Sequence, residues 1–520
     1  MHVKNLSLYH KEDERFIVEN LSFSLGQGDK LALIGEEGNG KSLLLRALAE
    51  PEKLPVLEIT GEIQLEGRVI AYLPQEIPEA TYNLSTLAYL EQEIDPLYFD
   101  YGLYYDLLDR MGIPESFISH DRFIHTLSGG EKIKFLLLVE CLRRPDLYLL
   151  DEPSNDFDIS SLLWLEDFIM SLHAPLLYVS HDEVLLENTA NAILLIEQLG
   201  AEPTTPQTTF SRLNYKDFKE KQADLYVRGM QVAKKDEAIL DDKMERYRRV
   251  RDSVEHQLRT VSRGDPGAAK NLKDKMHSVK SMGRRFEKEH ENMRKRPQRE
   301  RAIRLEFEED LNIPHSGKEV LDISISEIAI EERVLARDVE LHLRGVQKIA
   351  IVGANGSGKS TLLRILLGEF AAGDVPYAYM PQNYYEGMDP KQTAIEFLLQ
   401  KTGRDKTTVH TYLGSIEFSQ DEMNRPLGTL SGGQRGKLYL AQIVLSRASY
   451  LLLDEPSRNL SPLSGPTLRA ALRAYRGGII AVSHDRKFIR EVCDRVYRLG
   501  EEGLHELNAA DLAEYLERGD

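Results

Sequence analysis

The sequence predicts an α/β protein built from two repeated domains joined by an α-helical hairpin. Three observations predict it. One ordered set of short motifs occurs twice, far apart in the chain. Each set opens with an apolar strand-like run, a glycine-rich loop and a helix-like run. The stretch between the sets is polar and basic, with apolar residues at heptad-like spacing. The length of 520 residues fits this division, being about three times a ~150-residue domain. With 42% hydrophobic and 29% charged residues the chain is neither disordered nor fibrous. Its best apolar run, Phe135–Val139, is stopped by Lys134 and Glu140, far short of a membrane span. Met1-His2-Val3-Lys4-Asn5 carries no signal peptide. Cys141 and Cys493 alone make neither a disulfide framework nor a structural zinc site, so a cytoplasmic protein is expected.

The first motif set runs from Gly35-Glu36-Glu37-Gly38-Asn39-Gly40-Lys41-Ser42 through Leu73-Pro74-Gln75 to Leu127-Ser128-Gly129-Gly130-Glu131. It ends with Tyr148–Leu150, Asp151-Glu152-Pro153 and Val179-Ser180-His181-Asp182. The second runs from Gly353-Ala354-Asn355-Gly356-Ser357-Gly358-Lys359-Ser360-Thr361 through Met380-Pro381-Gln382 to Leu430-Ser431-Gly432-Gly433-Gln434. It ends with Leu451–Leu453, Asp454-Glu455-Pro456 and Val482-Ser483-His484-Asp485. The lysines stand 318 residues apart, which marks a duplicated domain and not a short-period solenoid.

Each glycine-rich run follows a strand-like segment (Leu31–Ile34; Ile349–Val352) and precedes a helix-like one (Leu43–Leu48; Leu362–Leu367). In that context Gly-x4-Gly-Lys-Ser is a phosphate loop. Backbone N–H groups, the helix N-terminus and the ammonium of Lys41 or Lys359 cradle phosphates, and Ser42 or Ser360 can ligate Mg²⁺. The Asp-Glu pairs close two buried strands, at the edge where α/β sheets place ligand groups. Asp151 and Asp454 can hold Mg²⁺ through water, leaving Glu152 and Glu455 to polarise an attacking water.

At Leu-Ser-Gly-Gly-Glu/Gln, followed by a strand and Asp-Glu-Pro, the sequence resembles the ATP-binding cassette family over about 200 residues at each end. The resemblance implies cassettes over 1–200 and 316–520, with a charged linker over 201–315. It implies that Ser128, Gly129 and Gly130, and likewise Ser431, Gly432 and Gly433, cap a helix N-terminus aimed at the γ-phosphate of ATP on the other cassette. Gln75 and Gln382 would sense Mg²⁺ and the nucleophile, and His181 and His484 would contact the γ-phosphate. Two composite sites follow. One joins Lys41, Ser42, Gln75, Asp151, Glu152 and His181 to the Ser431 loop. The other joins Lys359, Ser360, Gln382, Asp454, Glu455 and His484 to the Ser128 loop. ATP would clamp the two halves of a monomer, and hydrolysis would release them.

The copies differ. Glu36 and Glu37 set two carboxylates in the first phosphate loop, where Coulomb repulsion weakens phosphate binding unless they point outward. Tyr9 is placed to stack on adenine in the first site, whereas Ile328-Ala329-Ile330 offers no aromatic in the second. Asn155 and Asp158 after Glu152 are matched by Arg458 and Ser461 after Glu455. Asymmetric sites are expected.

The net charge of −18 hides a contrast, since residues 211–300 hold 25 Lys+Arg against 16 Asp+Glu, a net of +9. The rest of the chain carries 41 basic and 68 acidic residues, a net of −27. Any polyanion should therefore be met through the middle. Leu240, Met244, Tyr247, Val254, Leu258 and Val261 form one seam, and Leu272, Met276, Val279, Phe286 and Met293 another. Between them Ser262-Arg263-Gly264-Asp265-Pro266-Gly267 signals a turn. The spacing predicts an antiparallel hairpin whose first helix, from about Lys216 to Val261, reaches roughly 70 Å. Arg259, Arg263, Lys270, Lys273, Lys275, Lys280, Arg284 and Arg285 lie near the turn and suit RNA phosphate, with steep salt dependence.

Asn214-Tyr215-Lys216-Asp217-Phe218 and Ser316-Gly317-Lys318-Glu319-Val320-Leu321 resemble the linker boundaries of the F subfamily, cytosolic tandem ATPases without transmembrane partners. This resemblance implies binding in the ribosomal E site in the ATP-closed state, among rRNA and beside P-site tRNA, as a translation factor or an antibiotic-protection protein. Only 53 positions separate Gln75 from Ser128, so the inserted arm of many members is vestigial. The alternative is the tandem ATP-hydrolysing subunit of a membrane importer, which should have a short neutral connection. A DNA-associated ATPase would carry zinc-binding cysteines or a far longer coiled coil, so DNA is not an expected partner.

Overall fold

The computed structural model describes residues 1–519 apart from 66, 156, 198–205, 261–265, 292–304, 306, 308–310, 331–332, 417 and 459. The side chains of 260, 266–269 and 287–291 are likewise outside the description. The chain forms two compact units, Met1–Lys216 with Glu300–Asp520, and Asp217–Arg299.

The first unit contains both repeats, each centred on a six-stranded sheet. In the first sheet the strands run Ile70–Leu73, Leu147–Asp151, Leu176–Val179, Lys30–Ile34, Ala192–Glu197 and Gln207–Ser211, all parallel except the last pairing. The second sheet repeats that order with Tyr377–Met380, Tyr450–Asp454, Gly478–Val482, Lys348–Val352, Arg495–Gly500 and Gly503–Leu507. Leu147–Asp151 and Tyr450–Asp454 are buried at every residue, because helices cover both faces of a parallel sheet. The phosphate-loop strand lies between strands that follow it in sequence. Crossovers therefore leave it on opposite sides, and loops at its carboxyl end open a crevice for ligands. Antiparallel strands flank each sheet, His2–His10 with Arg15–Ser24 and Leu57–Gln64 in the first repeat, and Glu319–Ile330 with Arg333–Arg344 in the second.

Two expected boundaries shift. Gln207–Ser211 pairs with Ala192–Glu197, so the first repeat keeps its edge strand beyond residue 200. Leu305 joins the core of the second repeat and Phe307 packs on Tyr475 with ring centroids 4.7 Å apart, so that repeat begins before residue 316. Between Gln75 and Ser128 the longest helix is Tyr101–Met111, in keeping with a vestigial arm.

The second unit is built from two long helices. The first helix spans Tyr215–Thr260, 46 residues, one residue earlier than the apolar pattern suggested; the second spans Pro266–Glu291. Tyr247 meets Phe286 edge-on at 6.2 Å, and a Cβ at Gly283 would touch the Tyr247 hydroxyl at 2.5 Å. That contact, made well back from the short connection, fixes an antiparallel hairpin. Leu240, Val254 and Val279 are buried in the seam. Val261, Met293 and the turn residues Ser262–Asp265 lie outside the described residues.

Candidate active sites

Both phosphate loops owe their shape to glycines at positive φ. Gly35 (φ +152°) and Gly353 (φ +141°) leave no room for a side chain, since a Cβ would lie 2.4 Å from the carbonyl oxygens of Ile196 and Leu499. Gly38, Gly40, Gly356 and Gly358 also take left-handed conformations, and Gly40 and Gly358 lead directly into the helices Lys41–Ala49 and Lys359–Ala372. The buried Lys41 Nζ donates to Gly35 O and Glu36 O, both at 2.9 Å. Lys359 Nζ donates to Gly353 O at 2.8 Å and Ala354 O at 2.7 Å. Each ammonium thus stands inside its loop, where phosphate oxygens would exchange with these carbonyls.

At the strand ends Asp151 bonds the Ser42 hydroxyl and Asp454 that of Ser360. One oxygen of each, Asp151 Oδ1 and Asp454 Oδ1, is buried with no hydrogen-bond partner. Burial, aided by Glu152, pushes the Asp151 carboxyl up to about 6. A buried serine–aspartate pair with an orphaned oxygen suits a hard divalent cation. Among the described residues no cluster of three or more His, Cys, Asp or Glu is arranged for a metal, so such an ion would take its remaining ligands from phosphate and water.

The glutamates that follow both sit at positive φ, Glu152 at +49° and Glu455 at +52°, which turns them off the strand into the crevice. Their surroundings differ. Glu152 accepts from Gln75 Nε2 at 3.2 Å and Asn155 Nδ2 at 2.6 Å, and His181 Nε2 lies 3.1 Å from its other oxygen. Burial alone would raise this carboxyl; the His181 ring, the hydrogen bonds from His181 and Asn155, and Lys41 outweigh it and hold it at about 2. Glu455 receives the backbone N–H of His484 at 3.3 Å; His484 Nε2 stands 3.9 Å from its Oε1, which has no hydrogen-bond partner among the described residues. Burial and the adjacent Asp454 hold it well above the usual carboxylate range. His484, buried beside Lys359, is pushed down to about 3. The two glutamates thus sit in opposite electrostatic settings, the first favouring the charged carboxylate and the second disfavouring it.

The two repeats meet at both sites. Ser128 and Ser431 cap the helices Gly129–Leu142 and Gly432–Leu445 through capping boxes with Glu131 and Gln434. A cavity of about 680 Å³ joins Ser128 and Gly129 to Lys359, Ser360, Thr361, Gln382, Glu455 and His484, a size that holds a nucleotide. Gly130 faces Ser161 within its own repeat. On the other side Glu37 fills the space between the Lys41 loop and the Ser431 helix. A Cβ at Gly432 would lie 2.6 Å from Glu37 Oε1, and one at Gly433 3.0 Å from Oε2. Glu37 therefore points inward, and Glu36 lies 3.7 Å from Lys437 of the other repeat. Tyr9 packs edge-on against Phe16 at 5.1 Å, while Ile330, Arg333 and Leu335 line the second cavity where no aromatic was expected.

Several contacts were not read from the sequence. His181 Nδ1 faces the Leu460 carbonyl of the second repeat at 2.7 Å, and Asp158 accepts the Asn355 N–H of the second phosphate loop at 3.1 Å. Asn155 and Asp158 had been singled out only for differing from Arg458 and Ser461; their contacts needed the fold. In the hairpin, Arg259, Lys270, Lys273, Lys275, Lys280, Arg284 and Arg285 are exposed, and Arg263 lies outside the described residues.

The protein-family model described as ABC transporter matches residues 18–155 and 336–458. The energy-dependent translational throttle protein EttA of Escherichia coli K12 is 27% identical over 97% of this chain and 93% of its own. ABC transporter F family member 5 of Arabidopsis thaliana is 26% identical over 96% of this chain and 75% of its own. The putative ATP-binding protein YdiF of Bacillus subtilis is 27% identical over 94% and 78%. Among solved structures, that of archaeal ribosome recycling factor aABCE1 with stalk protein aP1 covers 99% of this chain and 92% of its own at TM-score 0.62 and 19% identity, a likeness of fold.

Proposed function

This chain belongs to the ABC transporter family, in its F branch, and from that premise we propose that it is a ribosome-binding ATPase that closes on ATP and acts through its hairpin. The cassettes bind and hydrolyse ATP. In the proposed cycle Lys41 and Lys359 hold the phosphates of one nucleotide each, and the Ser431 and Ser128 helices close over them from the opposite cassette. Glu152 and Glu455 take the proton of the attacking water, with Gln75 and Gln382 aligning it and His181 and His484 on the γ-phosphate. Mg²⁺, held by Ser42 with Asp151 and by Ser360 with Asp454, would neutralise phosphate charge.

The observation that supports a ribosomal partner most is the exposed basic hairpin in an otherwise acidic chain that is similar over nearly its whole length to a translational throttle protein. Phosphate-rich rRNA and tRNA match that charge. On this reading the E site receives the closed form, and the hairpin approaches P-site tRNA. An importer subunit has no use for such a connection, and among the described residues no helix is long and apolar enough to cross a membrane. The test is the double variant Glu152→Gln/Glu455→Gln, sedimented with ribosomes in ATP. Retention on ribosomes with arrested protein synthesis is expected; a chain that sediments free of ribosomes overturns the reading.

A further inference from the structure

The two cassettes also meet away from the nucleotide, at positions the duplication makes equivalent. Glu166 and Arg469 each stand 15 residues before the conserved-order histidine of their repeat, His181 or His484, and Glu183 and Arg486 each stand two residues after it. The pseudo-symmetry crosses them. Arg469 Nη1 bonds Glu183 Oε1 at 2.7 Å, and Arg486 Nη2 bonds Glu166 Oε1. All four side chains are at most 10% exposed. Lys487 extends the set, reaching Glu183 at 3.2 Å and Glu187 at 2.5 Å. Both equivalent positions are acidic in the first cassette and basic in the second.

We infer that this charge-reversed pair of contacts selects the mate: the first cassette closes only on a second cassette, never on the first cassette of another copy. Superimposing a first cassette on the second sets Glu183 against Glu166 in both contacts, and two second cassettes oppose Arg469 and Arg486. Arg469 would keep Glu491 and Glu166 would keep Asn188 of their own cassettes, both at 2.8 Å, but each would lose its cross-cassette partner to a like charge, and removing one partner of a buried pair already costs several kcal/mol. Complementary attraction adds little by itself; the repulsion in wrong pairings carries the selection. Closure on ATP is thereby kept within one chain, where the linker already supplies a high effective concentration. The inference rests on the proposed ATP-driven closure, which has its own test in ribosome retention.

Two full-length variants test it. Glu166→Arg/Glu183→Arg makes both faces basic, and Arg469→Glu/Arg486→Glu makes both acidic. Each alone should stay monomeric in ATP and lose ATP hydrolysis about tenfold or more, since 1.4 kcal/mol is a decade in rate. Mixed in equal amounts with ATP, they should form a two-chain complex by sedimentation velocity and regain hydrolysis. Wild-type rates in either variant, or a mixture no more active than its parts, overturn the inference. Should either double reversal prevent folding, Glu183→Arg and Arg469→Glu are compared with the chain carrying both. Recovery in the combined variant supports mate selection by charge, and its failure to recover refutes it.

Discussion

Replacing Glu37 by Ala removes a carboxylate from the space between Lys41 and the Ser431 helix, and ATP at the first site should bind more tightly. Glu37 Oε2 is buried with no hydrogen-bond partner, and its carboxyl is raised, first by burial and then by Glu152, against the lowering effects of His181, Lys41 and Arg435. A carboxylate about 4 Å from a phosphate charge costs up to ~4 kcal/mol at an effective dielectric near 20. Glu37 is only partly buried and sits at a loop tip, so rotation outward and the nearby cations relieve most of that. About 1–2 kcal/mol should survive, a factor of about 5 to 30 in affinity. Isothermal titration with ATPγS in a Lys359→Ala background isolates the first site. The affinity should rise by that factor in Glu37→Ala and in the isosteric Glu37→Gln, and rise less for ADP, which has no third phosphate. Affinities unchanged within about twofold in both variants would refute the assignment of Glu37 as a competitor for phosphate.

Three further outcomes follow from the geometry. Because the Glu455 carboxyl is raised and that of Glu152 is depressed, turnover by the second site alone (Lys41→Ala) should climb as pH rises from about 6 to about 9. Turnover by the first site alone (Lys359→Ala) should stay flat there, far above the point where Glu152 protonates; matching profiles measured at saturating ATP would contradict this. Gly353→Ala should lower stability by about 2–3 kcal/mol in thermal unfolding, from strain at φ +141° and the Leu499 carbonyl in its way, and should abolish nucleotide binding at that loop. Neutralising Lys273, Lys275, Arg284 and Arg285 should weaken ribosome association and flatten its salt dependence while ATP hydrolysis without ribosomes is kept; parallel loss of both would point to misfolding.

The repeat, the phosphate loops, the Asp-Glu strands and the hairpin were legible because each depends on local spacing: glycines at fixed intervals, strands ending in acids, apolar residues at heptad positions. Helix starts followed from caps, as with Ser128 and Ser431. The edge strand Gln207–Ser211 was not legible, because its pairing with Ala192–Glu197 crosses a connection and its sequence, Gln-Thr-Thr-Phe-Ser, lacks strong alternation. The direction of Glu37 also needed the fold, since a loop carboxylate can turn either way until the opposing helix is in place. The crossed pair Glu183–Arg469 has a signal in the sequence, namely opposite charges at matched offsets from two histidines. It becomes meaningful only once those offsets face each other.

One short stretch of chain joins the first crevice to the root of the long helix. Tyr215, fully buried at the start of the 46-residue helix, donates its hydroxyl to the Pro462 carbonyl at 3.1 Å. Two residues earlier, Leu460 presents its carbonyl to His181 in the first site. The three residues from Leu460 to Pro462 thus hold a catalytic histidine candidate at one end and the root of the long helix at the other.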